Sequence, residues 1–392
     1  MLDAIGIGLI IPVMPALINE ISRASISDAA WWGGLLGSTY ALMQFLCGPL
    51  LGNLSDRFGR RPVLILSLGF RGLDYFLIAV APSLLLLFIA RVISGITGAT
   101  YSTAAAYLSD TSQKGERARN FGYIGGAFGV GFILGPIVSA LLVDFGVRMP
   151  FIVAGVLALS NAFFGFLIIP ESLPAEKRRP FQWRRANPLT ALLRIRHLPM
   201  VGSLMMVVFL YTTANNVYPS IWSFYTIEKF AWNTQMVSIS LAMYGVCAAV
   251  IQIVILNLMI KHLGVEKTST IGMVISVISL GFLTVVDNPI LLLMGLPITA
   301  LGAVVSPALQ GMMADQVSDQ EQGELQGVFA SVISIAAIIS PLMMSFIFQQ
   351  FTKTDTAIYQ PGAPFLAASI ITLVALWVFY LSRAERHNSH AR

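Results

Sequence analysis

GNLSDRFGRRP, residues 52–62, crowds Asp56, Arg57, Arg60 and Arg61 into one short turn between two long apolar runs. The runs at 32–52 and 62–81 are each long enough to cross a hydrocarbon layer as a helix, which takes about 20 residues for about 30 Å. Working outward from that turn, ten further segments have the same character: 2–19, 83–108, 121–143, 149–169, 199–225, 235–260, 268–286, 289–314, 324–350 and 362–382. Backbone groups in lipid have no water to bond, so runs of this length must be helices. The alternating strands of about 10 residues that would build a barrel are missing. The fold class read here is an all-α membrane protein with twelve spans. Composition agrees: 56% of the 392 residues are hydrophobic and 11% charged, against roughly 25% charged in soluble domains. Mean hydropathy is +0.77. A soluble enzyme and a disordered chain are both excluded.

Basic residues set the orientation. With both termini cytoplasmic, 18 of the 24 Lys and Arg fall in cytoplasmic loops or the tail. Only Arg23, Arg148, Lys229 and Lys353 fall outside, while Arg71 and Arg91 lie within spans. This is the positive-inside asymmetry. The net charge of +5 is then a topology signal, and no nucleic-acid partner is needed to explain it.

The longest polar stretch, Pro170 to Pro199, leaves six spans before it and six after. The expected organisation is a six-helix bundle at 1–169, a cytoplasmic linker at 170–198, and a second bundle with a short tail at 199–392. An internal repeat supports two related halves. Phe58-Gly59 recurs as Leu263-Gly264, Asp110 as Asp315, Glu116 as Glu321, Gly122 as Gly327, and Gly135-Pro136 as Ser340-Pro341, every pair 205 residues apart. Parallel repeats of this kind are expected to hold a substrate near the bilayer midplane between the halves.

The string 52–62 resembles the signature loop of the major facilitator superfamily. In physical terms Gly52 allows close helix approach, Asp56 can cap a helix N-terminus or pair with an arginine, and the basic residues fix the inside face. RVISGITGAT at 91–100 adds Arg91 inside a span. GGAFGVGFILGPIVSA at 125–140 resembles the glycine-proline helix of that superfamily's drug exporters. There Gly125, Gly129, Gly135 and Pro136 serve either gating or plain packing. LDAIGIGLIIPVMP at 2–15, YALMQ at 40–44, LDYFLIA at 73–79, VYPSIWSFYTIEKFAWN at 217–233, SPALQGMM at 306–313 and GELQGVFASV at 323–332 together resemble the tetracycline efflux proteins. The likeness covers nearly the whole chain.

That resemblance implies the major facilitator fold, two pseudo-symmetric six-helix bundles in a bacterial inner membrane. It also implies a monomer that exports a small molecule in exchange for protons. The substrate would arrive as a divalent-metal chelate, with no resident cofactor or metal. Residue by residue, it gives Asp3 and Asp74 to proton coupling, and Gly52, Asp56, Arg57, Arg60 and Arg61 to a conformational latch. Arg71 and Arg91 become a charged constellation of helices 3 and 4, and Gln44, Gln252, Gln310 and Trp222 cavity contacts. An acid embedded in lipid is a natural antiport element, because it can exchange a proton when its surroundings wet.

This chain departs from the family in three places. Where those exporters carry a histidine in helix 8 and an acid in helix 9, it reads YGVCAAVIQIVIL (244–256) and STIGMVISVISLGFL (269–283), so proton handling is expected wholly in the first half. Arg71 stands three residues before Asp74 on one helix face; it either pairs with Asp74 or faces a cavity. Only Met1 and Leu2 precede Asp3, so the first span either begins upstream or is short with Asp3 at its edge.

Two other readings stay open: a facilitator of another small molecule, such as a metabolite or siderophore, and a non-transporting membrane sensor. Enzyme chemistry lacks its groups. His197, His262, His387 and His390 sit in loops or tail without metal spacing, and no GxxxxGK[ST] phosphate loop occurs. Cys47 and Cys247 each lie in an apolar segment.

Overall fold

The computed structural model describes residues 2–98, 100–112, 117–182, 188, 201–318 and 321–390. Among them there are helices and no strands. The first half contains α1 (Leu2–Ile10), α2 (Met14–Ser22), α3 (Ile26–Phe58), α4 (Arg60–Ala79), α5 (Leu84–Thr97), α6 (Thr100–Thr111), α7 (Arg117–Leu142) and α8 (Met149–Ile168). The second contains α9 (Gly202–Asn215), α10 (Val217–Phe230), α11 (Thr234–Val250), α12 (Leu256–Val285), α13 (Pro289–Ala300), α14 (Val305–Ala314), α15 (Gln322–Thr352) and α16 (Ala363–His390). A π turn, Ile251–Ile255, joins α11 to α12.

Each apolar segment of the sequence falls on one helix or on a helix interrupted once. Among the described residues, seven helices are long and apolar enough to cross a bilayer, and α1 with α2, bent by 51°, makes an eighth. The interrupted spans have local causes. Pro12 and Pro15 break the first span at residues 11–13, since proline removes a donor and clashes with the preceding turn. Asn216 separates α9 from α10 just before Pro219. Gly98 ends α5, and a 3-10 turn at Leu301–Val304 separates α13 from α14.

The backbone reproduces the repeat read from the letters. Gly59 (φ 107°) and Gly264 (φ 79°), 205 residues apart, share a conformation open essentially to glycine alone. Ser83 and Asn288, also 205 apart, each cap the next helix through a side-chain oxygen. Pro136 and Pro341 both stand inside helices. The interruption that includes Ile11 corresponds to the one at Asn216, again at that spacing.

Two compact units emerge, Met1–Pro188 with Trp232–Ala242, and Leu189–Ala231 with Met243–Arg392. In the first, glycines bring helices together. A Cβ on Gly135 of α7 would stand 2.7 Å from the Cα of Gly8 in α1, and one on Gly72 would meet Leu159. In the second, Tyr211, Met273, Val304, Leu309 and Val328 form a buried core. One end of this unit is tied by polar groups. Lys229 Nζ pairs with Asp287 at 3.0 Å, Gln360 Nε2 donates to the Thr284 carbonyl at 3.2 Å, and Tyr359 Oη donates to Glu228 Oε1 at 2.7 Å.

Partial burial and the Glu228 hydrogen bond push the Tyr359 phenol up to about 12, from about 10 in an unfolded chain. Because the folded value is the higher one, this contact stabilises fully below the unfolded pKa and fades as pH rises toward the folded one. Glu228→Gln should therefore bring the Tyr359 titration down, read from the ring-carbon NMR shift of labelled tyrosine; an unmoved titration refutes the contact. Gly59→Ala should cost about 1–3 kcal/mol in backbone strain, and more than Gly264→Ala. A side chain at Gly59 also meets the Glu171 carboxylate, whereas Gly264 faces open space. Thermal unfolding in detergent measures both, and equal losses would contradict the packing difference.

Candidate functional site

The turn at 52–62 is the hub of a polar network on the first unit. Asp56 Oδ1 at the end of α3 meets Arg60 Nη1 at the start of α4 at 2.6 Å, across the Gly59 turn. Arg60 Nη1 also donates to Ser55 Oγ at 3.1 Å, and its Nε to Asp110 Oδ2 at 3.0 Å, joining α3, α4 and α6. Arg61 Nη2 donates to the Phe166 carbonyl at 2.5 Å and stacks over the Phe166 ring, which ties α4 to α8. Arg57 lies over Phe58 at 5.1 Å. Asp56 thus fulfils the pairing role expected of it, while the capping role falls to another acid.

That acid is Glu171. Its Oε1 accepts from the backbone N–H of Arg60 at 2.8 Å and of Leu173 at 3.0 Å, and its Oε2 from the N–H of Arg61 at 3.3 Å. A carboxylate there satisfies orphan donors and meets the positive end of the α4 dipole. The sharp turn at Gly59 leaves room for it. Beyond Glu171 the chain stays fastened: Asn53 Nδ2 donates to the Gln182 carbonyl at 2.7 Å, and Arg179 N–H to the Asp56 carbonyl at 3.1 Å. Sequence reading left Glu171 and Asp110 out of the latch. The available signals were a Pro-Glu pair directly after a long apolar run, and an acid at the end of α6.

Inside the spans, Asp74 of α4 and Arg91 of α5 form an ion pair at 3.2 Å. Asp74 is 2% exposed, and its Oδ1 has no hydrogen-bond partner among the described residues. Ser94, one turn from Arg91, lies against the same carboxyl group. Arg71 is buried at 5%, one turn before Asp74. The pair therefore runs between helices, through Arg91, as well as bringing Arg71 into the same neighbourhood.

The remaining expectations scatter. Gln44 Nε2 donates to the Gly98 carbonyl at 2.9 Å, covering the end of α5. Gln310 Nε2 donates to Gln326 Oε1 at 2.9 Å. Gln252 is exposed on the π turn. Trp222 is 3% exposed in an aromatic cluster, edge-on to Phe365 at 6.4 Å. Close approach at Gly52 is not what the structure has: a Cβ there would meet nothing within 4 Å among the described residues, and the tight glycine of this turn is Gly59. Gly129 is likewise open, while Gly135 and Pro136 press on Gly8. The Asp3 side chain and the surroundings of Gly125 lie outside the described residues. No metal-holding group of His, Cys, Asp and Glu occurs among the described residues.

Duplicated helical halves, a charged turn and an ion pair buried among apolar spans define a secondary transporter. The Major Facilitator Superfamily model matches residues 1–226 and 204–392, and the chain belongs to that family. It is a multi-pass membrane transporter of small molecules and not an enzyme. It is 37% identical to the tetracycline resistance protein, class C, of Escherichia coli over 358 residues, covering 90% of this chain and 88% of the relative. With the class H tetracycline resistance protein of Pasteurella multocida it shares 36% over 377 residues, covering 95% and 92%. The human organic anion transporter MFSD10 (TETRAN) superposes with a TM-score of 0.71 at 26% identity, covering 96% of both chains. The nucleoside transporter NupG superposes with a TM-score of 0.77 at 14% identity, covering 97% of both, which speaks for the fold alone.

Removing the Glu171 carboxylate should release the start of α4. Glu171→Ala should lower stability by about 1 kcal/mol, the usual worth of a helix N-cap, and Glu171→Gln by less. Melting of the purified variants checks this, and an unchanged Glu171→Ala would deny the cap its role.

Proposed function

We propose that the protein is a proton-coupled antiporter exporting tetracycline-like amphipathic compounds by alternating access. The observation that carries this reading is the Asp74–Arg91 pair within the apolar spans, in a chain so similar to tetracycline resistance proteins. A buried ion pair adds little stability compared with apolar packing, and ionisable groups at membrane depth mark ion and proton pathways. Protonating Asp74 cancels its charge and frees Arg91 from its partner. That gives one proton-dependent switch between two arrangements of α4 and α5. The Asp74 carboxyl group, with Arg91 on Oδ2 and Oδ1 without a partner among the described residues, is assigned to take the proton.

Asp3 is assigned a second place in proton coupling, and Arg71 a share in tuning Asp74. The turn residues Asp56, Arg57, Arg60 and Arg61, extended by Glu171 and Asp110, act as the latch that holds one state. Gln44, Gln252, Gln310 and Trp222 are assigned to contacts with substrate, which arrives as a divalent-metal chelate. Gly135 and Pro136 act in the gating helix. Interruptions at corresponding places in two repeats point to the part of such transporters that holds cargo; here those are residues 11–13 and Asn216. The working unit is a monomer in the bacterial inner membrane with both termini cytoplasmic, divided as 1–169, 170–198 and 199–392.

Everted membrane vesicles test the proposal. Addition of tetracycline and a divalent cation under an imposed pH gradient should give uptake that collapses with a protonophore. Asp74→Asn should reduce gradient-driven uptake to background at unchanged protein level in the membrane, and Asp56→Asn should do the same through the latch. Gradient-driven uptake that persists in Asp74→Asn removes this residue from coupling. No uptake of tetracycline by the unaltered chain refutes the substrate class.

A further inference from the structure

The outer surface of the second unit carries a feature that transport does not use. Between α12 and α16 runs a groove of about 600 Å³ lined by Thr270, Leu373, Val374, Leu376, Trp377 and Tyr380. It presents only apolar surface. The single hydroxyl on its α12 wall is spent within the helix, since Thr270 Oγ1 donates to the Glu266 carbonyl at 3.0 Å and leaves its methyl group to the groove. Trp377 and Tyr380 stand 63% and 67% exposed, so both rings are open to whatever occupies the groove.

One end of the groove is charged. Lys267 precedes Thr270 by three residues, and Arg383 follows Tyr380 by three, so each groove wall ends in a cation on its own face. Arg383 Nε pairs with Glu266 Oε1 at 2.8 Å, which ties α16 to α12 at that mouth. Lys267 is exposed. Among the described residues, two cations against one acid leave an excess positive charge beside an apolar trough. That combination matches a molecule with an anionic head and a hydrocarbon tail.

We propose that this groove binds an anionic glycerophospholipid, with the phosphate at Lys267 and Arg383 and an acyl chain against Leu373, Trp377 and Tyr380. Basic residues at the ends of membrane helices recognise acidic headgroups in this way. A second copy of the chain would offer the trough an apolar face, whereas an anionic lipid answers both the trough and the exposed Lys267, so the lipid is the occupant the charges favour. The inference needs only the membrane placement and is independent of what the protein transports.

Native mass spectrometry of the full chain, released from detergent containing equal phosphatidylglycerol and phosphatidylcholine, tests it. Phosphatidylglycerol should be retained preferentially. Lys267→Gln, which leaves the Arg383–Glu266 pair intact, should lower that preference about five-fold, the effect of one basic residue at an anionic surface. Leu373→Trp, which fills the trough, should reduce retention of both lipids, and Lys261→Gln, outside the lining, should change neither. Equal retention of the two lipids, or a preference untouched by Lys267→Gln, overturns the proposal. Disulfide cross-linking between copies in Trp377→Cys would overturn it too, in favour of an interface between subunits.

Discussion

The whole architecture answers to one constraint: within lipid, a backbone amide has only the protein to bond with. Long helices meet it automatically, so every place where a helix stops becomes a debt for a neighbour. The structure settles these one by one. Gln44 covers the Gly98 carbonyl where α5 ends. Tyr211 Oη donates to the Gly302 carbonyl at 2.7 Å in the corresponding interruption of the other half. Ser340 Oγ donates to the Thr213 carbonyl at 2.7 Å beside the break at Asn216. Arg148 Nη1 donates to the Ala79 carbonyl at 2.7 Å at the end of α4. Different side chains perform one task, which explains why polar residues turn up in otherwise apolar runs.

Seen in this light, Gln44 serves the backbone first, whatever else it touches. The same holds for Glu171, which supplies acceptors for the first N–H groups of α4. The charged turn is a junction at which α3, α4, α6, α8 and the following strap of chain meet. Its stability comes from several shared hydrogen bonds rather than from any one ion pair, which at a surface is worth little. Asp74 and Arg91 are a separate matter, because their pairing is sheltered from water and the penalty for losing one partner is correspondingly severe.

Much of this was legible in the letters, for physical reasons that differ from residue to residue. Hydropathy alone marked the long apolar runs that are helices among the described residues, because lipid demands such runs. The spacing of 205 residues foretold paired features, and Gly59 with Gly264 shows why: a backbone region closed to other residues keeps its glycine in both copies. Asp56 reads as a capping or arginine-pairing acid of this turn, and its partner is Arg60, across the Gly59 turn. What the letters hid were contacts between segments far apart in the chain. Glu171 lies 111 residues beyond the N–H it accepts from, and Arg91 lies 17 residues beyond Asp74, so neither pairing has a period to betray it. Arg71, near in sequence and on the same face, reads as either a partner of Asp74 or a cavity residue; the structure adds Arg91, which reaches the carboxylate from the next helix. Gly52 misled in the opposite direction, since a glycine in a helix suggests crowding and here meets open space.

The meeting of α1 and α7 at Gly8 and Gly135 has a mechanical meaning. Backbone lies on backbone there, with no side chain between to hop from one rotamer to another. A methyl group on Gly135 would have to push the two main chains apart, so at this one point the seam between α1 and α7 admits no side chain at all.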